Sequence, residues 1–215
     1  ICTSGEPGLD NFKRLPLIKR EDLSEFVGLD INKPTALVTF HSVTQELRQL
    51  DEQILALITS MEKQQNLQYL ITYPGADTGF EKIIDAWEKF VDGRKDRVLK
   101  KNLGQQYYIS ALQNCCLMLG NSSSGVVEAA IPNIPVVNIG NRQAGRMRST
   151  NVFDVDCTVS EISAGITKAL KYDREQPCQS LYGNGNSSKK ILAFLDNILS
   201  RNSMEKILKK KFVDQ

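Results

Sequence analysis

Long apolar stretches and a marked excess of charge of one sign are both missing from this 215-residue sequence. No apolar run approaches the roughly 18–20 residues that a membrane-spanning helix needs, and the first residues show no basic segment followed by an apolar one. The formal net charge is only +2, whereas a nucleic-acid-binding domain usually carries one strongly basic face. We therefore expect a globular, cytoplasmic protein whose partners include neither nucleic acid nor a membrane.

Clusters of metal-binding residues are missing as well. The sequence has a single histidine, His41, and its five cysteines do not follow the spacing of a metal site. The cysteines are Cys2, Cys115, Cys116, Cys157 and Cys178. An odd number of cysteines without paired spacing favours a reducing compartment, so we expect buried, inert thiols. No metal and no cofactor is predicted.

What the sequence does have, from residue 35 onward and after one short predicted helix, is a regular alternation of short apolar runs with amphipathic segments. Strands are predicted over residues 36–40, 67–73, 97–99, 115–119, 135–139 and 152–155. Helices are predicted over residues 21–27, 44–61, 80–90, 105–113, 124–130, 160–170 and 186–199. This alternation is typical of βαβ units and predicts an α/β fold with a doubly wound, Rossmann-like parallel sheet.

Polar clusters follow the ends of four predicted strands. His41 follows the first strand, residues 74–79 the second, residues 121–124 the fourth and residues 141–146 the fifth. Ligands of open parallel sheets bind beyond the carboxyl ends of the strands, so the four clusters are expected to converge on one binding site. Within the second cluster we interpret Asp77 as a turn residue.

The turn at residues 120–125 has the composition of a phosphate-binding turn. The hydroxyls of Ser122, Ser123 and Ser124, with the small Gly125, would open a helix whose N–H groups point at an anion. The same residues could form an ordinary helix N-cap. The turn lacks the lysine of a P-loop and the glycine spacing of a dinucleotide fingerprint, and the only histidine precedes it, unlike in an α/β-hydrolase.

Charged residues near this turn complete the candidate site. Glu128 could accept hydrogen bonds from ribose hydroxyls, or it could simply favour the first turn of its helix. Arg142 and Arg146 could neutralise a diphosphate, or they could belong to a solvated loop. His41 could donate to a phosphate or assist a leaving group, the alternative being an exposed or helix-capping histidine.

Several motifs together resemble the hydrolysing UDP-N-acetylglucosamine 2-epimerases. The strongest are Gly-Asn-Ser-Ser-Ser-Gly at residues 120–125, followed by Glu128, and Arg-Gln-Ala-Gly-Arg at residues 142–146. Further similar segments are residues 5–10, 37–44, 182–186 and 210–212. The Arg-Gln-x-Gly-Arg element is the most specific, because the non-hydrolysing branch carries a different arginine-rich segment there.

This resemblance implies a fold of the glycosyltransferase-B type, of which the chain would be the second, UDP-binding half. Residues 1–33 would then connect from a first domain, residues 34–200 would bind UDP, and residues 201–215 would form an amphipathic tail that packs on that first domain. The family's acid/base carboxylates lie largely in the first domain. We therefore expect the chain alone to bind UDP weakly without turnover, and the full-length enzyme to be a homo-oligomer.

The reaction implied by the resemblance converts UDP-N-acetylglucosamine and water to N-acetylmannosamine and UDP. It proceeds by elimination of UDP to a glycal and hydration of the glycal from the opposite face. It serves the synthesis of sialic acid or related nonulosonic acids, and some family members use a diacetylated bacillosamine nucleotide instead. No metal or other cofactor is implied.

The resemblance also assigns roles to individual residues. His41 and Arg142 would be catalytic, with His41 at the pyrophosphate, where it helps UDP to leave, and Arg142 beside the diphosphate or sugar. Tyr108 would hold an aromatic ring against uracil, the Leu103 backbone would read the base edge, and Glu128 would bind the ribose hydroxyls. The full UDP-binding set is Leu103, Tyr108, Ser122, Ser123, Ser124, Gly125, Glu128, Arg142 and Arg146.

Two other functional classes stay open at this point. A UDP-sugar glycosyltransferase of the same fold would need an acceptor site, and a non-catalytic sensor would bind the nucleotide sugar without consuming it. Analysis of the products separates the three interpretations.

Overall fold

The computed structural model describes residues 1–201 of the chain. They divide into two compact units, one of residues 15–181 and the other of residues 1–14 with the described residues from 182 onward. The predicted tail at residues 202–215 lies outside the described residues. The predicted division into residues 1–33, 34–200 and 201–215 concerns a further domain and stays a prediction.

The larger unit contains a six-stranded sheet in which every neighbouring pair is parallel. Its strands are β1 (Thr35–Thr39), β2 (Gln68–Thr72), β3 (Arg97–Lys100), β4 (Leu117–Gly120), β5 (Val136–Ile139) and β6 (Val152–Val155). They lie in the order β3-β2-β1-β4-β5-β6, so the direction of winding reverses between β1 and β4. The doubly wound parallel sheet predicted from the sequence is confirmed.

The described residues form helices before, between and after these strands, and those between β1 and β5 connect consecutive strands. They are α1 (Asn11–Arg14), α2 (Arg20–Val27), α3 (Leu50–Glu62), α4 (Phe80–Val91), α5 (Gly104–Asn114), α6 (Ser123–Val127), α7 (Val159–Leu170) and α8 (Ser187–Arg201). Short 3₁₀ segments span Pro7–Asp10 and Thr44–Gln49. Within the described part of the chain, no helix is both long enough and apolar enough to cross a bilayer.

Three helices differ from the sequence prediction, which includes no helix at α1. The segment predicted as one helix over residues 44–61 is a 3₁₀ turn followed by α3, with non-helical backbone at Glu46. The helix predicted over residues 124–130 ends at Val127. Pro132 disfavours helical backbone at the residue before it, and Asn133 then adopts a left-handed conformation (φ 50°), so the chain turns instead of extending α6.

The core lies on both faces of the sheet. All five residues of β1 are buried, and one large apolar cluster joins the sheet to α3, α4 and α7. Cys115 is buried and Cys116 is half-buried, and burial raises the pKa of both thiols, that of Cys116 to about 11. Cys2 is exposed, against the expectation of buried thiols, because the first six residues form neither helix nor strand that could cover it.

The smaller unit is held by contacts between its two segments. The Glu6 N–H donates to the Tyr182 carbonyl at 2.7 Å. The Asp10 carboxylate accepts from the backbone N–H groups of Ser187 and Ser188 at 2.8 and 2.7 Å, which satisfies two of the free donors at the start of α8. A hydrogen bond from the Ser188 side chain, together with these two backbone hydrogen bonds, lowers the pKa of Asp10.

Candidate functional site

A cleft of about 480 Å³ lies beyond the carboxyl ends of β1–β4, where the sheet reverses its winding. Its lining consists of Thr39, His41, Thr72, Tyr73, Pro74, Gly75, Lys101, Asn102, Leu103, Gly104, Gln105, Tyr108, Ser122, Ser123, Ser124 and Glu128. The structure thus brings together seven of the residues predicted for the site, from His41 after β1 to Glu128 after α6. Ligands of doubly wound sheets bind at this position.

The serine turn begins with a backbone conformation that needs glycine. Gly120 has φ 134°, and a Cβ atom there would overlap the carbonyl oxygen of Thr39. After this turn Ser122 caps α6, its Oγ accepting from the Ser124 N–H at 3.4 Å. The N-cap interpretation of this serine is therefore confirmed, while its contact with a phosphate stays a prediction.

Tyr108 and Ser124 join one wall of the cleft to the other. The Tyr108 hydroxyl donates to Ser124 Oγ at 2.7 Å. Burial raises the pKa of Tyr108, so the phenol keeps its proton and acts as the donor. Glu128 is the C-cap of α6, which rules out the alternative that it lies in the first turn of that helix. Leu103 precedes the first turn of α5 and is 4% exposed.

His41 is held in one orientation by a backbone donor. Its Nδ1 accepts from the Gly75 N–H at 2.9 Å, so this nitrogen carries no proton. Burial, assisted by the nearby charge of Arg142, lowers the pKa of His41 to about 4, while Asp77 acts in the opposite direction.

Asn121 connects the ends of three strands. Its side-chain Oδ1 accepts from the His41 N–H at 2.7 Å, and its Nδ2 donates to the His41 carbonyl at 2.8 Å. Its own carbonyl accepts from Gln143 Nε2 at 2.9 Å and from Arg142 Nη1 at 3.3 Å. Asn121 is only 1% exposed, so it acts inside the protein rather than on a ligand.

Three predicted site residues do not line the cleft. Arg142 lines a neighbouring hollow of about 400 Å³, where its Nη2 lies 3.5 Å from Asp77 Oδ2. Arg146 is exposed and lines neither hollow. Gly125 is buried in α6, where a Cβ would lie 2.8 Å from Val136 Cγ1, so this glycine allows close packing on β5. Ligand contacts of these three residues stay predictions.

Sequence reasoning did not assign three residues that the structure places at the site. Lys101 adds a cation to the cleft wall. It directly follows β3, so its position after a strand could have identified it from the sequence. Asn121 and Gln143 are buried amides that hold the loops, and only the fold reveals their partners. Within residues 1–201, no group of three or more His, Cys, Asp or Glu side chains is placed to hold a metal ion.

Comparisons with a family model and with curated proteins both match this chain to 2-epimerases. The family described as UDP-N-acetylglucosamine 2-epimerase matches residues 1–196. A UDP-N,N'-diacetylbacillosamine 2-epimerase (hydrolyzing) of Legionella pneumophila is 35% identical over 92% of this chain and 52% of its own length. A GDP/UDP-N,N'-diacetylbacillosamine 2-epimerase (hydrolyzing) of Campylobacter jejuni is 26% identical over 94% of this chain and 52% of its own length. The chain therefore spans about half the length of these curated relatives.

Solved structures share the fold. The crystal structure of UDP-GlcNAc 2-epimerase from Neisseria meningitidis bound to UDP-GlcNAc aligns with a TM-score of 0.70 at 15% identity. The alignment covers 91% of this chain and 55% of that one. At this identity the likeness concerns the fold alone, which is of the glycosyltransferase-B type.

Proposed function

We propose that this chain, which belongs to the UDP-N-acetylglucosamine 2-epimerase family, is the nucleotide-binding half of a hydrolysing UDP-sugar 2-epimerase. The observation that carries the proposal is the cleft where the sheet reverses its winding, which is lined by His41, the serine turn, Tyr108 and Glu128. A nucleoside diphosphate needs polar donors for its phosphates, an acceptor for its ribose hydroxyls and an apolar surface for its base. The cleft has one of each.

The walls of the cleft suggest how UDP lies in it. In our proposal the diphosphate lies against the serine turn and His41 Nε2–H, in a cleft whose wall includes Lys101. The ribose hydroxyls donate to Glu128, the Tyr108 ring lies against uracil, and the Leu103 backbone contacts the edge of the base. Arg142 reaches the diphosphate or the sugar from the neighbouring hollow, after it leaves Asp77.

The proposed reaction consists of an elimination and a hydration. A base removes the proton from C2 of the sugar, and the C1–O bond breaks with its electron pair going to the β-phosphate of UDP. Water then adds to the glycal, with its hydroxyl at C1 and a proton at C2 on the opposite face. Negative charge grows on the departing diphosphate, so fixed donors aimed at it lower the barrier.

We place the acid and base for these proton transfers in a first domain outside this sequence, because the part of the chain that the structure describes offers no convincing carboxylate pair in the cleft. The chain alone should accordingly bind UDP without turnover. For the full-length enzyme we propose a cytoplasmic homo-oligomer that supplies an N-acetylated mannosamine-type sugar for nonulosonic acid synthesis.

Two substrates fit the proposal. UDP-N-acetylglucosamine is the substrate expected from the family motifs. UDP-N,N'-diacetylbacillosamine is the second candidate, because the relative at 35% identity carries that name. Incubation of the full-length enzyme with each nucleotide sugar, followed by identification of the free sugar, decides between them. Transfer of the sugar to an acceptor would instead indicate a glycosyltransferase, and intact substrate would indicate a sensor.

The first test is a calorimetric titration of the chain with UDP. We expect a dissociation constant in the micromolar to millimolar range and a loss of binding in Glu128→Ala, because the two ribose hydroxyls lose their acceptor. Glu25→Ala removes an exposed carboxylate from α2 and is the matched control, which should bind like the wild type. Equal affinity in all three proteins would refute the assignment of Glu128, and no binding by the full-length wild type would refute the nucleotide site.

A further inference from the structure

We infer that the Gly75 backbone N–H is a positioning group that holds His41 as the neutral Nε2–H tautomer, so that this histidine serves the proposed reaction as a fixed hydrogen-bond donor to the leaving diphosphate and not as a proton-transferring imidazolium. The inference rests on the proposed function for the identity of the acceptor. The tautomer itself can be tested without any ligand.

The hydrogen-bond geometry carries the inference. Gly75 N lies 2.9 Å from His41 Nδ1, within the usual range of a hydrogen bond. A backbone amide can only donate, so Nδ1 must accept and must be without a proton. A neutral imidazole has one donor and one acceptor nitrogen, which leaves the proton on Nε2.

The histidine cannot easily turn away from this donor. The Asn121 side chain holds both backbone polar groups of His41, at 2.7 and 2.8 Å, with the amide orientation that satisfies both bonds. Asn121 is 1% exposed and its own N–H donates to the Thr39 carbonyl at 3.2 Å, so this support belongs to the sheet. The His41 backbone is therefore held by the residue that follows β4, and the His41 ring is held at Nδ1 by the loop after β2.

The charges around the ring are consistent with a neutral imidazole. Arg142 disfavours a second proton on His41 and Asp77 favours one, and burial disfavours it most. Lys101 and Glu128 line the same cleft. A protonated ring would also lose the Gly75 hydrogen bond, since both nitrogens would then be donors.

A neutral His41 determines the form in which UDP leaves the sugar. A neutral Nε2–H stabilises the growing charge on the diphosphate without giving up its proton, as a preorganised donor does. UDP therefore leaves as the anion, and its protonation state is set by solvent after release. His41 then needs no reprotonation between turnovers.

The test is nuclear magnetic resonance of the ¹⁵N-labelled chain, produced without a histidine tag. Because His41 is the only histidine, its ring signals need no assignment by mutation. We expect a pyridine-type shift for Nδ1, a pyrrole-type shift for Nε2 and a through-hydrogen-bond ¹⁵N–¹⁵N coupling from the Gly75 amide to Nδ1, at neutral pH, with and without UDP. An imidazolium, a proton on Nδ1 or an absent coupling would overturn the inference.

Two variants of Gly75 distinguish the effect of its backbone N–H from the effect of adding a side chain. Gly75→Ala keeps the amide, and its Cβ would lie 3.6 Å from His41 Nδ1, an ordinary contact, so the tautomer should be unchanged. Gly75→Pro replaces the amide hydrogen by the proline Cδ, which cannot donate to Nδ1 and displaces the imidazole from this contact. The tautomer ratio should therefore shift toward Nδ1–H by about fivefold, the factor that one net hydrogen bond provides. An unshifted ratio in a folded Gly75→Pro protein would contradict the inference.

Two outcomes distinguish this inference from the proposed function. If UDP fails to bind the full-length protein while the coupling is present, the nucleotide site is wrong and the tautomer assignment stands. If UDP binds and the ring is an imidazolium in the complex, the nucleotide site stands and the inference fails. Should Gly75→Pro fail to fold, the wild-type coupling alone still decides.

Discussion

The single histidine should make the stability of this protein pH-dependent in a range where few carboxylates titrate. Burial, assisted by Arg142, lowers the pKa of His41 in the folded protein to about 4, against about 6.5 in an unfolded chain. Between these values the unfolded chain binds a proton that the folded protein does not. The free energy of unfolding must therefore fall as the pH falls from about 6.5 toward 4.

The size of this effect follows from linkage between proton binding and folding. Above about pH 7 both states are neutral at His41 and the effect is nearly absent. At about pH 5 the unfolded histidine is mostly protonated and the folded one is not, which lowers the free energy of unfolding by about 2 kcal/mol. The loss approaches about 3 kcal/mol at pH 4.

The assay is urea unfolding followed by the fluorescence of Trp87, the only tryptophan, which is 1% exposed in the core of the larger unit. Carboxylates titrate too, so the quantity to compare is the difference between wild type and His41→Asn. Asparagine offers an oxygen to the Gly75 N–H in place of Nδ1 but cannot titrate. Between about pH 7.5 and pH 5 the wild type should lose about 2 kcal/mol more than the variant.

One further variant tests the cause of the shift. In Arg142→Gln a positive charge near the ring is gone, so the folded pKa rises and the pH dependence should become smaller. Parallel pH curves for wild type and His41→Asn would refute the reasoning, because they would mean that His41 has an ordinary pKa in the folded protein.

Three substitutions test the packing around the site, each by urea unfolding at neutral pH. Asn121→Ala leaves two backbone groups without their partners and should cost about 2–4 kcal/mol, whereas Asn66→Ala, at an exposed asparagine, should cost almost nothing. Gly125→Ala places a methyl group 2.8 Å from a valine on β5 and should cost about 1–3 kcal/mol, while Gly75→Ala meets only ordinary contacts and should be tolerated. Tyr108→Phe removes one buried hydroxyl hydrogen bond and should cost about 1 kcal/mol. Equal stability of Asn121→Ala and Asn66→Ala, or of the two glycine variants, would contradict the contacts described above.

The six strands could be predicted from sequence because their apolar runs are buried in a parallel sheet. β1 is buried at all five positions, so its run of apolar and β-branched residues is continuous rather than alternating. The bounds of α6 could not be predicted in the same way. The apolar pattern continues past Val127, whereas Pro132 and the left-handed Asn133 farther along disfavour a longer helix.

The place of the candidate cleft was also predictable, since parallel strands bring their carboxyl ends to one edge. What each polar residue does there was not. Asn121 and Ser122 are neighbours in one motif, yet the first is buried under His41 and the second lines the cleft. The difference arises at Gly120, whose positive φ turns the chain so that Asn121 reaches a residue 80 positions earlier.

This division between residues that line the candidate cleft and residues that support it decides how a loss of UDP binding is interpreted. Arg142 donates to the Asn121 carbonyl, and the same asparagine holds the backbone of His41, so a variant of either residue disturbs the histidine as well as any contact of its own. Glu128, the C-cap of α6, is proposed to contact the ribose hydroxyls, so UDP affinity is judged first on Glu128. Variants of Arg142 become informative only together with the tautomer of His41. If Arg142→Gln weakens UDP binding while the Gly75 to His41 coupling is unchanged, the arginine contacts the nucleotide directly; if the coupling is lost as well, its effect passes through Asn121.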